Sequence, residues 1–282
     1  MDPAHEQRRY KRKKHAKKYV TDQLALARLI KQQNVQGLII DTAVWICAEP
    51  SVINLMDEAC FGHLDGGAGT ARFVKEKLAA IGVAVTGHHT IRLGLDEAFY
   101  MSYTLNNLTV FDLVPNNNSN NTTTLTTSST TSAAKQLDHT QLWQRCRSLR
   151  SDFLPMYLAY HHYRSKGWIA RTGQQYGADY VLYQRHPAIA HSDYSIMIIP
   201  LSSSSAQQQQ LGESPMRPAL DWHDVQVLNR MSTQVCKRLI LFYVKDLSGG
   251  GRGDNYDSPR CLSQWAVHER MIRRWVPEAH RE

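Results

Sequence analysis

Three side chains in the C-terminal half of the chain could together move protons and hold an anion: Tyr183, His191 and Lys237. Tyr183 and His191 stand at the two rims of a loop in "GADYVLYQRHPAIAHSDYSIMIIP", residues 177–200, which reads as strand, loop, strand. The loop also carries Arg185, His186 and Pro187, with little that is apolar enough for a core. Lys237 lies where a helical pattern runs into a buried strand, a place that can hold its ammonium near the end of a sheet. Tyrosine, histidine and lysine can perform general acid–base work and anion stabilisation without a metal. Such a set suits cleavage of an RNA phosphodiester by its own 2′-hydroxyl. One group removes the 2′ proton, another protonates the departing 5′-oxygen, and a cation holds the charge of the pentacovalent phosphorane.

Other polar clusters suit different chemistry less well. The pairs His88-His89 and His161-His162 invite a metal reading, but neighbours on a helix point to different faces, and no carboxylate or cysteine lies at ligand spacing. His186 and His191 are five apart without an acidic partner, and His186 is expected to be a bystander. A metal-dependent nuclease would need clustered acids near a lysine. Residues 177–245 offer Asp179, Asp193, Glu213, Asp221 and Asp224, spread along the segment. The expectation is no metal and no cofactor. Five scattered cysteines without a CxxC pair suggest neither a disulfide framework nor a zinc site, and so a reducing compartment.

The elements that must position the three residues are legible in outline. "DFLPMYLAYHHYRSKGW" places Leu154, Tyr157, Leu158 and His161 on one helical face, with Pro155 in the first turn and Gly167 closing the helix. "WIARTG" and "ADYVLY" are strands joined by the turn residues "GQQYG". "DYSIMIIP" is apolar enough to be a central strand. Residues 221–237 form a helix, with Val225, Leu228, Met231 and Val235 at helical spacing. "RLILFYVKD" (238–246) is a buried strand, and residues 264–277 supply a last strand or short helix. Upstream, residues 21–34 read as an amphipathic helix, 37–48 as β-rich, 51–62 as a short helix ending at Gly62, and 93–112 as a helix from Leu95 followed by a short strand. No catalytic constellation is visible there, so docking or scaffolding is its default role.

Composition sets the frame. The chain has 282 residues, enough for two domains, is 42% hydrophobic and carries a net charge of +8. Eight basic residues among the first 18 (Arg8, Arg9, Lys11, Arg12, Lys13, Lys14, Lys17 and Lys18) oppose only Asp2 and Glu6. This run reads as a solvated arm, a nucleic-acid surface or a nuclear-localisation signal. Neither a membrane-length apolar stretch nor a signal-peptide core is apparent. "NNNSNNTTTLTTSSTTS" (116–132) is too polar to bury a core and reads as disordered. "SSSSAQQQQLGESP" (202–215) reads as a tolerant surface loop. The expected organisation is an arm over 1–19, a small α/β domain over 20–113, a linker over 114–137, and a second domain over 138–282 with the 202–215 insert.

The C-terminal part resembles the catalytic domain of the tRNA-splicing endonuclease family. The resemblance is carried by "YHHYRSKGWIARTGQQYGADYVLYQRHPAIAHSDYSIMII" (160–199) and "WHDVQVLNRMSTQVCKRLILFYV" (222–244). Within the family, "ACFG" (59–62), residues 93–112 and "RRWVP" (273–277) resemble the catalytic subunit that cuts the 5′ splice site. The resemblance implies a mixed α/β protein whose C-terminal domain is a mixed sheet flanked by helices, similar to restriction endonucleases. It implies Tyr183 as general base, His191 as general acid and Lys237 as transition-state stabiliser. It further implies that Arg230 and Trp275 grip a flipped-out intron base by cation–π stacking. A free tyrosine is about one part in a thousand phenolate at neutral pH, and a nearby lysine cation would favour that form. The implied partners are precursor tRNA, a second catalytic subunit and two structural subunits, in the nucleus. The implied products are a 2′,3′-cyclic phosphate and a 5′-hydroxyl. A non-catalytic RNA-binding or scaffold subunit of the same complex is the alternative, and would be expected to lack one of the three catalytic residues.

Overall fold

The computed structural model describes residues 30, 33–65, 68–80, 82–83, 87, 89–113, 134–201, 220–247 and 255–272. The basic arm, the 116–132 and 202–215 segments, most of the expected 21–34 helix, and "RRWVP" with Trp275 lie outside them. The described residues fall into two compact units, one within Leu24–Arg150 and one within Ser151–Glu282. Both are mixed α/β, as expected. No described helix is long and apolar enough to cross a membrane.

In the N-terminal unit the β-rich stretch 37–48 is a hairpin of β1 (Val35–Ile40) and β2 (Ala43–Ala48). The chain reverses at Asp41, whose φ of 54° is in the left-handed region that aspartate tolerates better than most residues. Helix α1 (Pro50–Glu58) begins on a proline, whose missing N–H costs nothing in a first turn, and stops short of the expected Gly62. Strand β3 (His63–Asp65), helix α2 (Ala68–Ala80) and strand β4 (His89–Gly94) follow. Helix α3 (Leu95–Phe99) continues through a π-helical turn over Tyr100–Thr104 into β5 (Leu108–Leu113). With β6 (Ala134–Gln136) the sheet order is β3-β4-β2-β1-β5-β6, antiparallel except for β1 and β5. One face is sealed by Val74 and Leu78 of α2 against Leu38 and Cys47.

Helix α4 (His139–Leu149) opens on a capping box: the Gln141 N–H donates to Asp138 Oδ1 at 2.7 Å, and the Asp138 N–H to Gln141 Oε1 at 3.3 Å. Trp143 packs on Phe99 at 5.1 Å between ring centroids, and the following Arg150 pairs with Asp96 at 2.5 Å. This helix therefore belongs to the N-terminal unit, although the sequence division placed everything from 138 onward in the C-terminal part. The local pattern specifies an amphipathic helix, but not which sheet its apolar stripe covers.

The C-terminal unit comprises α5 (Phe153–Ser165), β7 (Ile169–Thr172), β8 (Tyr180–Tyr183), β9 (Tyr194–Leu201), α6 (Trp222–Gln234), β10 (Arg238–Asp246) and β11 (Trp265–Ile272). The sheet order is β11-β10-β9-β8-β7, so β9 is central. Strands β9 and β10 run parallel, which requires a crossover, and α6 lies within it. The other pairs are antiparallel. Of the closing segment 264–277, the described residues form a strand (β11), which a 3₁₀ turn over Pro259–Gln264 precedes.

Two helical faces differ from their expected composition. In α5, Leu158 and His161 are half-buried, while Tyr160 and Tyr163 are fully buried. These tyrosines pack on Tyr180 at 6.1 Å and Phe242 at 5.5 Å, so the large rings set the helix's rotation. In α6, Val225 and Leu228 pack on Met197, Leu239 and Leu241, but Met231 and Val235 are each 40% exposed. Ser232 takes the buried position instead. Positions 228, 231 and 232 satisfy the same 3.6-residue period, and packing decides between the last two.

Candidate active site at one end of the C-terminal sheet

Strand register places the candidate residues. Leu182 pairs with Tyr194, and Arg238 pairs with the same Tyr194. One step toward the sheet end, Tyr183, Asp193 and Lys237 therefore form a row across β8, the entry to β9, and the entry to β10. Asp193 bonds to both sides: its N–H donates to the Leu182 carbonyl at 2.9 Å, and its carbonyl accepts from the Arg238 N–H at 3.1 Å. Strands lie about 4.8 Å apart, and cross-strand neighbours share a face. By the same alternation this row shares its face with Met197, Leu239 and Leu241, the face that α6 covers. The opposite face at this end carries the Arg238 guanidinium, 4.7 Å from the Tyr194 ring, with Trp168 edge-on to Tyr194 at 5.4 Å.

His191 is two residues before Asp193 and exposed; Tyr183 is half-buried. The loop between them is built by its other histidine. His186 is 7% exposed, its Nδ1 accepts from the Ala188 N–H at 3.1 Å, and its carbonyl accepts from the N–H groups of Ile189 and Ala190 at 2.9 and 3.2 Å. The expectation of a bystander is corrected: His186 shapes the loop that carries His191. Histidines of equal sequence standing differ because one ring is turned in, where its Nδ1 accepts from the Ala188 N–H.

Lys237 follows the end of α6. Cys236 takes a left-handed φ of 56°, its N–H donates to the Thr233 carbonyl at 3.0 Å, and the Lys237 N–H donates to Ser232 at 2.8 Å. This turn feeds the chain directly into β10. Lys237 is 7% exposed. Its Nζ lies 4.3 Å from the centroid of the Tyr176 ring and 3.5 Å from the Val235 carbonyl oxygen. Burial holds its pKa below the ordinary lysine value, and the charges of Cys236 and Asp193 offset part of that effect. The sheet end thus holds a desolvated cation, a phenol and an accessible imidazole. These are the groups needed to stabilise a developing oxyanion and exchange protons with it.

Several other polar groups of this unit have structural partners. Asp179 Oδ2 accepts from the Ile198 N–H at 2.7 Å. Asp221 and Asp224 exchange capping bonds of 2.8 and 3.2 Å at the start of α6, where with His223 they form an exposed trio whose ligating atoms lie within 4.8 Å. Glu213 lies outside the described residues. His162 Nε2 is 2.5 Å from Glu269 Oε1, and Lys166 Nζ is 3.0 Å from the same oxygen, which ties α5 to β11. Arg230 is exposed on α6, and Trp275 falls outside the described residues. Tyr176 and Asp193 were not singled out from the sequence for any role at this site. Tyr176 sits among ordinary turn residues, and Asp193 gains significance only through register.

The family model for the tRNA intron endonuclease, catalytic C-terminal domain, matches residues 153–249, a span that includes Tyr183, His191 and Lys237. The tRNA-splicing endonuclease subunit Sen2-1 of Arabidopsis thaliana is 29% identical over 254 residues, covering 90% of this chain and 86% of that protein. The subunit Sen2-2 of the same plant is 30% identical over 260 residues, covering 92% and 82%. The Sen2 subunit of Mus musculus is 28% identical over 191 residues, 68% of this chain and 35% of the mouse protein. With a matched catalytic domain and similarity running through both units, the chain belongs to the Sen2 family of tRNA-splicing endonuclease subunits.

Proposed function

We propose that this chain is the catalytic subunit that cleaves precursor tRNA at the 5′ splice site, without a metal. The observation that supports this reading best is the row Tyr183–Asp193–Lys237 across three adjacent strands, with His191 two residues from its centre. Tyr183 takes the proton of the 2′-hydroxyl, whose oxygen attacks phosphorus. The P–O5′ bond breaks as His191 gives its proton to the leaving oxygen. Lys237 stabilises the phosphorane between these events. The products are a 2′,3′-cyclic phosphate and a 5′-hydroxyl.

Within this reading the chain works beside a second catalytic subunit and two structural subunits, in the nucleus, to which the basic arm directs it. Arg230 and Trp275 hold an extruded intron base. Tyr183, His191 and Lys237 are all present, which favours catalysis over a scaffold role. In the assembled complex, precursor tRNA should be cut in excess EDTA, leaving a 5′ exon that ends in a cyclic phosphate. A 3′-hydroxyl end, or cleavage restored only by magnesium, would refute the proposal. For the RNA grip, Arg230→Ala and Trp275→Ala should be non-additive in cleavage; additive losses would remove that pair from the reading.

A further inference from the structure

Tyr176 comes from the turn at the far end of the β7–β8 hairpin from Tyr183. Its ring nevertheless lies beneath the Lys237 ammonium, at 4.3 Å. The turn that delivers it is held on several sides. The Gly173 N–H donates to the Asp179 carbonyl at 2.9 Å, the Ala178 N–H to the Gly173 carbonyl at 3.1 Å, and the Asp179 N–H to the Ile196 carbonyl at 2.9 Å. Gly177 has a φ of 67°, and a Cβ there would meet Met231 Cε of α6 at 3.4 Å. The platform is therefore anchored to the central strand and packed against the helix that leads to Lys237.

We infer that Tyr176 is a positioning residue for the splicing reaction, fixing the Lys237 ammonium on its ring face so that the cation is in place before RNA arrives. This rests on the proposed role of Lys237. A lysine side chain has four rotatable bonds and strongly hydrated donors, so an unguided ammonium would sample many positions. The Val235 carbonyl at 3.5 Å is at the outer limit of hydrogen bonding, and Asp193 acts through space. The ring supplies a favourable face for the cation without consuming all its N–H donors. Those donors stay available to the non-bridging oxygens of a phosphorane. A carboxylate in the same place would neutralise the charge that the transition state needs.

The test is single-turnover cleavage of precursor tRNA by the chain assembled with its partner subunits, with RNA binding and melting temperature measured in parallel. Tyr176→Leu should slow cleavage by about 10–100-fold, the scale of a misplaced catalytic group, without changing RNA affinity, and Tyr176→Phe should restore the rate. Replacing Tyr176 with phenylalanines of increasing fluorination keeps the ring's shape while emptying its negative face, and the rate should fall stepwise along that series. In a Lys237→Ala background none of these changes should matter. If Lys237→Ala cripples cleavage while the fluorinated series is flat, the inference about Tyr176 fails and the role of Lys237 stands. If Lys237→Ala cleaves at the wild-type rate, the catalytic reading itself fails. Should Tyr176→Leu melt early, the fluorinated series still decides, since its members fill the same space.

Discussion

Charged groups of the N-terminal unit and Lys237 of the C-terminal unit are held in opposite ways. In the N-terminal unit, Glu97 is 8% exposed, and its two carboxylate oxygens accept from the N–H groups of Gly62 at 3.2 Å and Gly94 at 3.0 Å. Asp96 is paired with Arg150, and Asp112 with Arg145 at 2.7 Å. These charges hold a sheet edge, a turn and a helix together. In the C-terminal unit Lys237 is buried to a similar degree, yet it rests on a ring face and one distant carbonyl. A buried charge with short, direct partners is architecture. A buried charge without them costs stability and can respond to a charge that develops later. The histidines of the 184–192 loop repeat this contrast at shorter range, with the His186 ring committed to the Ala188 N–H and His191 open to solvent.

The largest expected effect separates those histidines. His191→Ala should lower cleavage by about 10²–10⁴-fold, with the melting temperature near wild type. His186→Ala should lower the melting temperature and reduce cleavage indirectly, because the loop loses its internal acceptor. Chemical rescue by imidazole in the His191 variant alone would sharpen the distinction; equal melting losses in both would break it.

The buried charges come next. Lys237→Met should cost about 10²–10³-fold in rate and leave stability unchanged or improved, since an apolar chain replaces a desolvated cation. Glu97→Ala should do the reverse. It strands two backbone donors at about 1–3 kcal/mol each, which appears as a lower denaturation midpoint. Loss of stability in Lys237→Met would show that the lysine is structural after all.

A smaller effect lies at the α5–β11 junction. Burial pushes the Glu269 carboxyl up, but hydrogen bonds and charge from Lys166 and His162 outweigh it and hold the pKa below the ordinary value. A depressed carboxylate stabilises the fold above its unfolded pKa, near 4.3, and that contribution is lost as the pH falls through the lower folded value. Glu269→Gln should therefore cost about 0.5–1 kcal/mol near neutral pH, with the difference from wild type vanishing in acid. A pH-independent difference would assign the residue's effect to packing.

The smallest effect should follow deletion of residues 203–212. A polar segment contributes little burial, and shortening a loop changes closure entropy by only about 0.6 kcal/mol per halving. Loss of cleavage in an assembled, folded deletion variant would mean that the insert touches RNA.

Much of this protein was determined by its sequence alone, because strand and helix periods are local properties. The β7–turn–β8 unit, the central β9, helix α6 and the buried β10 could all be read from side-chain periodicity and turn residues, whereas Tyr183, His191 and Lys237 stood out by residue type and place and took their roles from the family resemblance. Helix α4 is absent from the elements read from the sequence, although the Asp138–Gln141 capping box and the spacing of Leu142, Trp143 and Cys146 are local features; which unit it joins is not local at all. Tertiary structure decided what depends on partners distant in the chain. It turned Ser232 rather than Met231 toward the sheet, and it aimed His186 inward and left His191 outside. It set Asp193 between Tyr183 and Lys237 through strand register, and it brought a tyrosine from a remote turn beneath the lysine. No local pattern specifies such contacts, because each is set by how whole elements pack and which backbone donors remain to be satisfied once they have done so.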